Sequence, residues 1–237
     1  MKNNLRGLRS KSGQSMTEFV IITPVMLLVV MGALQFAFIY NAKTTVNYAT
    51  FQAARSGAVN HGKKVNIERA FARNMSALYT NDDNINSLQT ARKKVDDEIA
   101  NNYVCIERIN PSPDAFIDHA LPSGEIPNDN LMFRNPAVGL TSGLTIQDAN
   151  LLKIRVTYCF DMIVPLVNRT IAAMATKKKD GANIYGFVGE SADIKFATTG
   201  SFQDHCYENN RIPIVSQAIV RMQSPAVLDA SFPASCN

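Results

Sequence analysis

Four cysteines and three histidines are the residues in this chain best suited to metal or thiol chemistry: Cys105, Cys159, Cys206 and Cys236, with His61, His119 and His205. No two cysteines form a CxxC pair, and the histidines lie far apart, so the spacing does not predict a zinc site. Asp204-His205-Cys206 sets a thiol beside an imidazole. Neighbours on an extended chain point apart, however, and this thiol is expected to be oxidised. The acidic run Asp96-Asp97-Glu98 reads as the solvated face of a helix rather than as a metal site. A nucleophile elbow, a P-loop, an HExxH pair and a dinucleotide fingerprint are all missing from the sequence. The reading is therefore of a protein without catalytic residues, metal or cofactor. A net charge of +4 is too mild for a nucleic-acid-binding face.

The segment that must place everything else is at the N-terminus. Residues 19–40 run FVIITPVMLLVVMGALQFAFIY without a charge. Twenty-two residues at 1.5 Å each give roughly 33 Å of helix, enough for a hydrocarbon core of about 30 Å. Lys2, Arg6, Arg9 and Lys11 precede the run with no acidic residue among them. Positive charge stays on the cytoplasmic side, which predicts an inside N-terminus and an outside remainder. A cleaved signal peptide fits less well, because its apolar core is shorter and a small-residue cleavage site follows it. Pro24 lies mid-span, removes a backbone donor and predicts a kink. Glu18 abuts the apolar run. Taken alone it marks a helix start, where an acid suits the macrodipole.

In context these residues say more. The basic leader ends in Gly13; Glu18 is the fifth residue after it, and Phe19 opens the apolar run. This arrangement resembles the processing site of type IV pilins and pseudopilins. The longer stretch from Gly13 to Val59, with Pro24, the Gln35-Phe36 pair and Ala53-Ala54-Arg55-Ser56-Gly57-Ala58, resembles the TadE-like pseudopilins of tight-adherence (Flp, type IVc) pilus and secretion systems. The resemblance implies cleavage between Gly13 and Gln14 by a prepilin peptidase. It also implies a role in assembly for Glu18 and Phe19, and partners among other pilins, pseudopilins and the pilus assembly platform. The implied location is the bacterial inner membrane, with a single pass and a periplasmic C-terminal domain that becomes extracellular in a pilus.

Beyond the span the chain reads as α+β. Residues 1–13 are the leader, 14–60 a long helix containing the span, and 61–237 a pilin-like extracytoplasmic domain. Ala42, Val46, Ala49, Ala53 and Gly57 make a narrow small-residue face; such a face lets helices approach closely, and over Val46 to Gly57 it is expected to pack on the protein's own sheet. Residues 62–80 and 85–100 read as amphipathic helices, and 103–109 as a strand. The proline-rich 110–143 reads as a long loop with short elements. The clearest strand is 151–160 (LLKIRVTYCF): Leu152, Ile154, Val156, Tyr158 and Phe160 share one face, with Lys153, Arg155, Thr157 and Cys159 on a solvated one. Residues 163–174 read as a short apolar helix, 194–202 as a weak strand, 212–222 as the final strong strand, and Lys177-Lys178-Lys179 as a solvated turn.

Four scattered cysteines in a chain that leaves the cytoplasm read as two disulfides. Three pairings exist. Strand phase places Cys105 and Cys159 on outward faces and favours 105–159 with 206–236. The functional expectation is a minor pilin or pseudopilin that does no chemistry. The alternative is a permanently anchored periplasmic binding or scaffold protein, for which cleavage and Glu18 would not matter.

Overall fold

The computed structural model describes residues 12–80, 82–164, 202–232 and 236. Residues 1–11 of the basic leader, the stretch 165–201 with its lysine run, and most of the expected elements at 163–174 and 194–202 lie outside the described residues. The architecture is α+β.

Helix α1 (Ser12–Val59) is one unbroken element of 48 residues, roughly 72 Å long at 1.5 Å per residue. It stops where His61 and Gly62 both take positive φ. The Gly62 N–H then returns to the Gly57 carbonyl at 2.9 Å, a C-terminal closure that glycine makes without steric cost. α2 (Lys64–Met75) follows and buries Ile67, Phe71, Ala72 and Met75 at helical spacing. Its first amide is capped from far along the chain, by Asp229 Oδ2 at 2.8 Å. A 3-10 turn (Ser76–Leu78) leads to α3 (Ile85–Ala100), whose N-cap Asn84 accepts from the Ser87 N–H.

The sheet has the order β1-β3-β4 and is antiparallel throughout: β1 (Val104–Asn110), β3 (Leu151–Asp161) and β4 (Arg211–Arg221). The strand with the strongest alternation, β3, is the central one. β4 is an edge, where Pro213 costs no ladder bond that a neighbour would need. Between β1 and β3 the chain forms α4 (Pro113–His119), the short β2 (Glu125–Ile126), a 3-10 turn (Leu131–Phe133) and α5 (Ile146–Ala149). β2 pairs with β5 (Ala226–Val227) at the end of the sheet farthest from the N-terminus of α1.

The core lies between the sheet and the helices. Leu152, Ile154, Val156, Tyr158 and Phe160 all point into it, as the alternation predicts. They meet Ala42, Val46, Ala49 and Ala53 of α1, together with Ile67 and Phe71 of α2. Small side chains on α1 let its backbone sit close to the sheet. Gly57 is the tightest point: a Cβ there would lie 2.7 Å from Ile67 Cγ1 and 2.8 Å from Leu152 Cδ2.

The opposite face of the sheet departs from expectation. Thr157 and Cys159 are buried there rather than solvated. α6 (Phe202–Glu208) and the C-terminal segment cover them, and two disulfides hold these covers down. The observed pairs are Cys105–Cys236 and Cys159–Cys206, which corrects the favoured pairing of 105 with 159 and 206 with 236. The reason is register. Cys105 stands opposite Thr157, so Cys159 is its diagonal neighbour, at roughly 7–8 Å. That is too far for a bridge, whereas the observed Cα separations are 5.9 and 5.1 Å.

Within the proline-rich region a carboxylate organises the loop. Asp118 accepts from the Ser142 hydroxyl and N–H, each at 2.7 Å, and from the Thr141 N–H. The Ser142 hydroxyl, then its amide, hold this carboxyl well below its ordinary value, at about 2. A depressed carboxylate stabilises the fold above its unfolded pKa, and that contribution is lost as pH falls through the folded one. The loop 139–142 should therefore stay attached at pH 4 and detach as the pH approaches about 2. A carbon-13 titration of the Asp118 carboxyl tests this. A midpoint at the ordinary 3.8 would show that the cradle does not form in solution.

Candidate functional site

α1 has two halves with opposite surroundings. From Met16 to Leu34 almost every side chain is bare, including Phe19, Ile21, Val25, Met26 and Val29, each more than half exposed. The most apolar 18-residue window has a mean hydropathy of 2.3 and is 6% buried. The helix is long and apolar enough to cross a membrane and is compatible with single-pass anchoring. From Gln35 onward one face is buried against the outer domain. The small-residue face of Ala42, Val46, Ala49, Ala53 and Gly57 thus packs on the protein's own sheet and α2, as expected.

The bare half carries the residues singled out from sequence. Gly13 and Gln14 lie in the first turn of the helix. Glu18 and Phe19 are exposed and remote from the outer domain. The helix runs through Pro24 without interruption. Next to it the Thr23 hydroxyl donates to the Phe19 carbonyl at 2.7 Å, in the turn where proline removes a donor. Gly32 has open space around it.

The docked half is fastened at three heights. At the far end Ala58 O accepts from the Gln223 and Ser224 amides, and His61 Nδ1 donates to Pro225 O at 2.9 Å. In the middle Lys43 Nζ donates to the Val215 carbonyl, and burial pushes its pKa down. Nearest the span, Gln35 Oε1 accepts from the Val164 N–H at 2.9 Å, and Gln35 is fully buried. Reading the sequence marked Gln35 as a polar residue near the exit of the span but missed this anchoring role. The only hint was a lone amide inside an otherwise apolar run.

Residues 13–55 match the family model described as TadE-like protein. Over these residues the N-terminal helix is similar to that family. The match begins at Gly13, covers the whole bare half and ends at Arg55, before α2. No curated protein and no solved structure matches the chain.

Residues outside the TadE-like segment that had suggested chemistry are engaged structurally. Cys206 is bonded to Cys159, so its sulfur is not a nucleophile in this state. His205 lies on α6, where its ring stacks on Tyr103 at 5.7 Å. Glu98 is not a solvated acid, as the run Asp96-Asp97-Glu98 had suggested; it is buried and paired with Arg211. Arg211 also donates to the Cys159 carbonyl at 3.2 Å and sits 3.7 Å from the centre of the Tyr103 ring. Beside this pair the Tyr79 and Tyr158 hydroxyls hydrogen-bond to each other, and burial pushes both phenols above their ordinary range. Among the described residues no three His, Cys, Asp or Glu side chains are grouped to hold a metal.

Proposed function

We propose that the chain is a minor pilin or pseudopilin of the tight-adherence type. A prepilin peptidase removes residues 1–13 on the cytoplasmic side of a bacterial inner membrane, and α1 stays on the mature protein. The subunit then enters a short pilus or secretion fibre, or primes one, through contacts with other pilins and the assembly platform. It catalyses no reaction. The observation that carries this reading is the division of α1, whose TadE-like match begins at Gly13. Its docked half is bolted to the outer domain, while its bare half offers a mainly apolar surface, with Glu18 at its start, to lipid or to the helices of neighbours. In a fibre, Glu18 sets register against a neighbour's free N-terminal amine, and Pro24 supplies a bend for packing. Two disulfides support an extracytoplasmic outer domain, since such bonds persist in oxidising compartments.

The test is the mature N-terminus and the consequence of losing Glu18. Mass spectrometry of the protein from cells carrying the peptidase should find Gln14 first, and Glu18→Ala should block incorporation while the protein remains in the membrane. An intact Met1 under those conditions would sink the reading. Unimpaired function of Glu18→Ala would favour a permanently anchored scaffold.

A further inference from the structure

The Gln35 contact fixes how low the outer domain sits. If the hydrocarbon core begins at Phe19, about 30 Å at 1.5 Å per residue ends it near Phe38. Gln35 then lies roughly 5 Å inside the outer boundary. Counting back from Tyr40 instead puts it roughly 7 Å inside. Helical side chains lean toward the N-terminus, so the Gln35 amide sits no higher than its own backbone. Val164, whose N–H that amide oxygen accepts at 2.9 Å, is held at the same depth. The chain leaving β3 therefore descends to the level of the apolar run.

Its composition suits that position. Residues 162–164 are Met, Ile and Val. Met162 and Val164 are buried, while Ile163 projects outward, 63% exposed. One step higher come the exposed Asp161 and the half-buried Lys43, which lies just above the end of the apolar run on α1. An apolar corner beneath charged side chains is the layering of a membrane interface. Irregular backbone survives at that depth only when its polar groups are satisfied by protein. The buried Val164 N–H meets that condition through Gln35.

We propose that the corner 162–164 is a second membrane contact, in which Ile163 seats in the outer leaflet at the boundary between headgroups and acyl chains. Gln35 is the strut that holds the corner there. The outer domain then rests on the bilayer rather than swinging above it, and a subunit leaving the membrane must withdraw this corner with its helix. The inference rests on α1 spanning the membrane, and the test separates the two.

The chain contains no tryptophan, so single tryptophans report without background. Full-length Val29→Trp, Ile163→Trp and Met132→Trp would be reconstituted at high lipid excess into phosphatidylcholine vesicles. The acyl chains would be brominated either near the headgroup or near the bilayer centre, with iodide as the aqueous quencher. Val29→Trp should lose most of its emission to the deep bromines. Ile163→Trp should lose most of its emission to the shallow bromines, be shielded from iodide and emit to the blue of Met132→Trp. Met132 is exposed near the opposite end of the sheet and should respond to iodide alone. Quenching of Ile163→Trp by iodide and not by bromine, with Val29→Trp quenched as expected, would overturn the inference and leave the span standing. Shielding of Ile163→Trp from both quenchers would overturn it in favour of a second protein copy on the corner. Failure of bromine to quench Val29→Trp would remove the span and the inference together.

Discussion

Reduction of the two disulfides should cost the outer domain most of its stability. The bridges are nested: Cys159–Cys206, with a sequence separation of 47, lies inside Cys105–Cys236, with a separation of 131. The chain-entropy model gives the inner loop about 4 kcal/mol. With the inner bridge closed, about 84 residues of the outer loop remain free in the unfolded chain, and the same model gives that loop about 4.5 kcal/mol. Removing a native bridge typically costs about 2–5 kcal/mol. A joint loss of about 4–10 kcal/mol compares with a total of about 5–15 for a typical domain. The bridges also hold α6 and the C-terminus over Thr157 and Cys159, so reduction should expose that face of the sheet. Circular dichroism is a poor measure of this, because α1 stays helical in detergent. Hydrogen exchange at the Ile154 and Val156 amides of β3 is the better one. Protection there should fall by several orders of magnitude on reduction, and unchanged protection would show that the core does not depend on the bridges. Replacing Cys159 and Cys206 with serine should free α6, while replacing Cys105 and Cys236 should free the C-terminus.

Arg211→Met should destabilise the domain by about 3–5 kcal/mol, the usual cost of stranding one member of a buried ion pair. Arg211 contacts both oxygens of Glu98, the second from Nη2 at 3.3 Å, and both side chains are largely shielded from water. Its loss leaves the Glu98 carboxylate beside the buried phenols of Tyr79 and Tyr158. The double variant Glu98→Leu with Arg211→Met should recover much of the loss, because no charge remains stranded. Denaturant midpoints of the wild type, the single variant and the double variant decide the matter. A double variant no better than the single one would mean that packing against Tyr103, and not charge, is what Arg211 supplies.

Much of the scaffold was legible because the signals are local. The apolar length of 19–40, the alternation in LLKIRVTYCF and the helical spacing of Ile67, Phe71 and Met75 each depend on residues a few positions apart. The element boundaries followed closely, with helices at Lys64–Met75 and Ile85–Ala100 and strands at Val104–Asn110 and Leu151–Asp161. The TadE-like match over residues 13–55 was legible for the same reason, since it rests on consecutive residues. Errors came where a distant segment supplies the surroundings. Glu98 looked solvated because its partner, Arg211, is 113 residues away. The outer face of β3 looked exposed because α6 and the C-terminus return over it only after folding.

The N-terminal helix itself shows where the division falls. That it is long, apolar and preceded by positive charge is a property of consecutive residues, and one-dimensional pattern was enough to find it. Where its free surface ends is a different matter. Burial begins at Gln35, inside the apolar run, because β3 delivers the Val164 N–H to that height. The cysteine partners were decided in the same way, by a strand register that sets Cys105 opposite Thr157 and brings Cys236 and Cys206 over the sheet. Periodicity reports which face a residue shares with its neighbours in the chain. Only the packed chain determines what stands opposite that face.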